Sequence, residues 1–167
     1  MRRLMTSLAL SALVTGSVAL APSVAFAEEF TCRGTVGAVT LDNVRVPDGA
    51  TCTLNGTRVK GTVKVETGAT LNANSIRVVG NIQAENHRAT NVRSSTVGGS
   101  VQIKQGGSAN VASSNINGDL QAFQNQGSIS FTNNRIDGNL QCKENRPAPT
   151  GGGNIVQGNK EDQCARL

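Results

Sequence analysis

From residue 52 onward, apolar residues fall at every second position in short bursts, and the bursts return at a near-constant interval. In RVKGTVKV (58–65), Val59, Gly61, Val63 and Val65 share one face, while Lys60, Thr62 and Lys64 share the other. That is the period of a β-strand; a helix would bring every third or fourth residue together. The pattern recurs in RVVGNIQA (77–84), TVGGSVQI (96–103), NINGDLQA (115–122) and RIDGNLQC (135–142). A shorter alternating stretch precedes each burst, placing Cys52 and Leu54, Leu71 and Ala73, Thr90 and Val92, Ala109 and Val111, and Ile129 and Phe131 in equivalent inward positions. Each repeat therefore predicts at least two strands joined by turns.

Superposing the bursts brings Gly61, Gly80, Gly99, Gly118 and Gly138 into one column, at spacings of 19, 19, 19 and 20, and Gly158 follows at the longer of these intervals. Ser75, Ser94, Ser113 and Asn133 form a second column of short polar residues suited to turns. A chain that returns to the same place at so short and regular a period, with its strands parallel, is a parallel β-helix. The crossover preference of parallel strands makes it right-handed. The expected fold is all-β, a short solenoid of about six coils. Residues 28–51 supply an N-terminal cap and first coil, 52–164 the coils and C-terminal cap, and 165–167 a tail. A β-sandwich has no reason to keep six glycines in one register, and the Leu and Asn consensus of a leucine-rich repeat is absent. Because each coil buries its apolar face against the next, small Val, Ile, Leu and Ala suffice for the core.

The four cysteines add end staples to this picture. Cys32 is separated from Cys52, and Cys142 from Cys164, by close to one coil in each case. Residues one coil apart lie at the strand spacing of ~4.8 Å, within the usual Cα separation of a disulfide. The expected pairs are Cys32 with Cys52 and Cys142 with Cys164; the other two pairings would have to bridge opposite ends of the stack. Lys160 and Asp162 replace apolar inward residues in the last copy, as a capped end requires. With no C-x-x-C pair and one histidine, no metal site is expected.

Residues 1–27 read as a removable export signal: Arg2 and Arg3, an apolar stretch over 8–20, and the Ala25-Phe26-Ala27 cleavage pattern. The expected product begins at Glu28, is secreted to the periplasm, cell wall or medium, and has no membrane insertion. Loss of Arg2 and Arg3 lowers the formal charge from +5 to +3. The remaining cations are interspersed with acids, and the chain has no Trp or Tyr, so nucleic acid is not an expected partner.

Candidate chemistry is sparse. Asp119 and Asp137 fall on outward positions of adjacent coils, the closest approach to a paired-carboxylate site. They read instead as solvated strand residues in a row of Asn and Gln. His87, at a turn, is expected to face solvent. No cofactor or catalytic residue is expected. The most patterned surface is a double polar column, Thr62, Asn81, Ser100, Asp119 and Asn139 beside Lys64, Gln83, Gln102, Gln121 and Gln141. Amide ladders of this kind stabilise stacked strands. The candidate binding face is Asn81, Gln83, Gln102, Asp119, Gln121, Asn139 and Gln141. KENRPAPTGGGN (143–154) breaks the strand pattern with its prolines and glycines and is expected to be an exposed loop over the capped end.

The string GNLQCKENRPAPTGGGN, with its closing GNKEDQC, resembles the tail of a family of small exported bacterial proteins, and the resemblance extends over roughly residues 52–164. It implies a right-handed parallel β-helix and export but no activity to carry over. In pattern the coils are also similar to bactofilins, cytoskeletal β-helices that polymerise end to end. The signal, disulfides and polar cap depart from that family. The leading expectation is a non-catalytic secreted or envelope protein that binds a surface glycan or protein, as a monomer or with weak self-association. The alternatives are a self-assembling filament or matrix protein and, third, a polysaccharide-active enzyme.

Overall fold

A computed structural model describes residues 28–167. The export signal expected at 1–27 lies outside the described residues. The described chain contains 22 strands and no helix, and every strand pair is parallel. The strands form three sheets of eight, seven and seven, each running the length of the stack. The molecule is a parallel β-solenoid of about seven turns.

Each coil contributes three strands, one more than the minimum the alternation required. The segment 58–65 is not one strand but two, Arg58–Val59 and Val63–Val65, with a corner between them. Thr70–Asn74 then supplies the third. Gly61 and its repeats stand at that corner, half-exposed through Gly138 and exposed at Gly158, and not in the apolar interior where alternation placed them. The residues on either side do face inward: Val59, Val63 and Val65 are buried.

The count of coils also rises from six to seven, because Asp42 takes the glycine position in the first turn. The Gly61 amide donates to the Asp42 carbonyl at 2.7 Å, in the same way that Gly80 donates to Gly61. A register marked by glycine alone passes over that turn. Its strands are Glu29–Thr31, Gly34–Val36 and Thr40–Leu41.

The extra residue that lengthens the later repeats lies at a corner. Phe123 pairs with Lys104 at the shorter interval, whereas Ile129 pairs with Ala109 at an interval one longer, so the insertion falls between Phe123 and Ile129. This position matters because a one-residue slip inside a strand would turn its whole apolar set outward. Two other corners use a left-handed residue. Ser75, Ser94, Ser113 and Asn133 have φ of 53, 49, 50 and 54°, and Asn86, Gln105, Gln124 and Glu144 have φ of 52, 52, 58 and 57°. Each costs about 1–2 kcal/mol for a residue with a Cβ.

What offsets that cost is the residue that follows, whose side chain turns inward beneath the corner. Ser95, Ser114, Asn134 and Asn154 make one buried polar file, and Asn125 and Asn145 another. Backbone N–H groups of Ile76, Ser95, Ser114 and Asn134 donate to the next side chain in the first file at 3.1–3.2 Å. In the second, Gly106 N–H donates to Asn125 Oδ1 at 2.9 Å and Asn125 Nδ2 donates to the Ile103 carbonyl at 3.0 Å. Peptide groups that leave the sheets at the corners are thereby satisfied inside the protein.

The segment 143–154, whose prolines and glycines predict an exposed loop, is largely exposed and forms part of the last full coil, with a strand inside it. Thr150–Gly152 and Ile155–Val156 continue two of the sheets, and Asn145 and Asn154 are buried in the two Asn files. Gly151 and Gly153 serve a close approach: Gly151 lies in register with Phe131 at φ 137°, and a Cβ there would strike the Phe131 carbonyl oxygen. Proline and glycine interrupt the apolar pattern without interrupting the stack.

Candidate binding faces

Both expected disulfides are present. Cys32–Cys52 and Cys142–Cys164 have Cα separations of 5.5 and 5.2 Å, and all four cysteines are buried at the two ends of the core. At the C-terminal end, Gln163 Oε1 accepts from the Asn145 backbone and side chain at 2.9 and 3.1 Å, closing one buried file. Lys160 and Asp162 stand in register with Leu140 and Cys142 yet are exposed, so the last turn presents charge where the others present hydrocarbon. Replacing Cys142 and Cys164 by alanine is expected to lower stability by about 3 kcal/mol, the worth of closing a loop of this size. Thermal unfolding of the variant, beside the oxidised parent, measures the loss.

The predicted double polar column separates into two structures with different roles. Asn81, Asp119 and Asn139, with Thr62 and Ser100, follow the glycine corner and bond to backbone. Asn81 Oδ1 accepts from Ser100 N at 2.8 Å, Asp119 Oδ1 from Asn139 N at 2.7 Å, and Asn139 Oδ1 from Asn159 N at 2.8 Å. They hold one coil to the next, and their acceptor oxygens explain the glycines. A Cβ at Gly99, Gly118, Gly138 or Gly158 would overlap, respectively, the side-chain oxygen of Asn81, Ser100, Asp119 or Asn139.

Gln83, Gln102, Gln121 and Gln141 form the second structure, on the outer face of the eight-stranded sheet. Each Nε2 donates to the Oε1 of the next glutamine, at 3.3, 3.2 and 2.8 Å, and Gln141 donates to Glu161 at 2.8 Å. Lys64 stands in register at the other end. The chain of amides uses one donor of each glutamine and one acceptor site of Gln102, Gln121 and Gln141, and leaves the rest for solvent or a ligand. Beside it, Lys64, Glu66, Gln83, Glu85, Gln102 and Lys104 line an open groove of ≈ 420 Å³. Lys104 Nζ also lies 6.0 Å from the centre of the Phe123 ring.

Asp119 and Asp137 do not form a carboxylate pair. They belong to different columns on either side of the glycine corner: Asp119 is held by the Asn139 amide, and Asp137 by Gln157 at 2.9 Å and Arg135 at 3.6 Å.

His87 departs most from expectation, for it is 2% exposed and not in solvent. It occupies the same file as Gly106, Asn125 and Asn145, and its ring fills the space that a side chain on Gly106 would need. Neither ring nitrogen has a hydrogen-bond partner among the described residues. Burial pushes its pKa below the ordinary 6.5, and the Ser108 backbone offsets this only in part. Below that ordinary value the unfolded chain binds a proton that the folded chain resists, so stability falls as pH falls and is retained above it. His87→Phe should flatten the decline. Unfolding midpoints of parent and variant between pH 4 and pH 8, on the order of the range where histidine titrates, check this. The one-coil spacing from His87 to Gly106 was the available clue.

Comparison with protein-family models, curated proteins and solved structures returns no match. Among the described residues, no helix is long and apolar enough to cross a membrane.

Proposed function

We propose that this chain is a non-catalytic, exported binding protein of the cell envelope or its surroundings, with the solenoid as a rigid scaffold for a surface component. The observation that carries this reading is the outer face of the eight-stranded sheet. A register-matched file of glutamines there keeps free donors and acceptors at the coil spacing beside an open groove. Regular, preorganised polar groups favour a ligand that is itself extended and repetitive. The buried disulfides at both ends and the signal expected at 1–27 support an oxidising destination. The employment of Asp119 and Asp137 in structural bonds supports a non-catalytic role.

The test is a binding screen of the oxidised protein against fractionated envelope polymers, with a turnover assay on the polysaccharides. Saturable binding without turnover is the expected result. Turnover of a polysaccharide, lost in Asp119→Asn with Asp137→Asn, would overturn it.

A further inference from the structure

The third sheet, made of two-residue strands, carries a charge arrangement unlike the other faces. Arg58 and Arg77 are direct register partners on adjacent coils, both exposed. Partners in register lie ~4.8 Å apart. Neither makes an ion pair among the described residues. The neighbouring Lys60 is already neutralised, since its Nζ is 2.9 Å from Asp42 and holds that carboxyl below its usual pKa. Like charges directly opposite across a strand pair destabilise the fold. Arg58 and Arg77 therefore do nothing for each other in the free protein.

The column continues from Arg77 through Thr96 and Asn115 to Arg135, each in register with the last. Thr96, Asn115, Asn117 and Arg135, with Asp137, line a shallow trough of ≈ 290 Å³. The face thus offers two unneutralised guanidinium groups, then hydroxyl and amide groups, along one straight line. Guanidinium forks pair with planar carboxylates through two parallel hydrogen bonds. Hydroxyl and amide groups suit the hydroxyls of a sugar chain.

From this we infer that the third sheet is a binding site for a linear acidic polysaccharide bearing carboxylates, whose anionic groups seat on Arg58 and Arg77 and whose hydroxyls follow the trough toward Arg135. The inference rests on the binding role proposed above, adds the third sheet to the glutamine face as a second site, and names the ligand class. Neutralising the pair has opposite consequences for binding and for folding: Arg58→Gln with Arg77→Gln removes both seats and also removes a repulsion.

The experiment measures binding of the oxidised protein to polygalacturonate at low salt, with dextran and polyphosphate as the other probes. The parent is expected to bind polygalacturonate and not dextran. The double glutamine variant should lose at least about tenfold in affinity, with a melting temperature equal to the parent's or higher. Arg88→Gln with Lys143→Gln, an equal change in net charge at exposed positions outside both the third sheet and the groove, should leave binding within about twofold. Equal losses in the two double variants would overturn the inference, as would polyphosphate binding as tight as polygalacturonate. Saturable binding of another envelope polymer, unchanged in Arg58→Gln with Arg77→Gln, would sink this site and leave the proposed function standing. Binding to no fraction at all would sink both.

Discussion

Replacing Asn134 by leucine is expected to destabilise the solenoid by about 4 kcal/mol, although the two side chains are nearly the same shape. Asn134 Oδ1 accepts from Ser114 N at 3.1 Å, and Nδ2 donates to the Val111 carbonyl at 2.8 Å and to Asn154 Oδ1 at 3.0 Å. The residue is 1% exposed, so water does not replace these partners. Leucine leaves a buried N–H and a buried C=O short of a partner, at about 1–3 kcal/mol each. Denaturant unfolding of the variant measures the loss. A change below about 1 kcal/mol would mean that the corner peptides satisfy themselves in another way.

Gly118→Ala is expected to cost about 3 kcal/mol, an unusual penalty for a half-exposed position without positive φ. A Cβ at residue 118 would overlap Ser100 Oγ and stand 2.8 Å from the Gly99 carbonyl carbon. Ser100 Oγ is itself the acceptor for Asp119 N at 3.0 Å, so relief of the overlap breaks a bond between coils. Gly37→Ala is the comparison, because a Cβ there meets nothing within 4 Å. It should change stability by less than about 0.5 kcal/mol. Equal melting temperatures for Gly118→Ala and Gly37→Ala would refute the steric account of the glycine column.

Strand periodicity, the spacing of the glycines and the cysteine separations were enough to read a disulfide-stapled parallel solenoid from the chain. Each is a relation between residues that the fold repeats coil after coil. The corners were less legible. Alternation placed Gly61 in the interior because it continues from Val59 to Val63 without a break, although the backbone bends there. The buried files beneath the other corners also passed unseen, since Ser95, Ser114 and Asn134 are residue types that usually face water. Their doublets, Ser94-Ser95, Ser113-Ser114 and Asn133-Asn134, recur at the coil period and carried the signal. Prolines and glycines in 143–154 marked an exposed segment but hid the strand Thr150–Gly152 and the buried Asn145 and Asn154 within it, because in a stack they mark close contact as readily as a loop.

Of the candidate face, the glutamines were readable as a ladder. Asn81, Asp119 and Asn139 shared its polarity and repeat, but each also spends a side-chain oxygen on the backbone of the next coil. Hydrophobicity patterns do not distinguish those two uses. Arg58 and Arg77 were visible as scattered charges, and only the third sheet brings them side by side.

The glutamine file has one more property. Its amide dipoles all point the same way, oxygens toward the N-terminal coils and amino groups toward the C-terminal ones. A cation, Lys64, stands at the oxygen end, and an anion, Glu161, receives the last amino group. Gln102, Gln121 and Gln141 cannot turn their amides without giving up a bond on each side, so the row has two collective orientations and the charges at its ends choose between them. The rod consequently has a built-in sense along its axis, written in its side chains as well as in its chain direction.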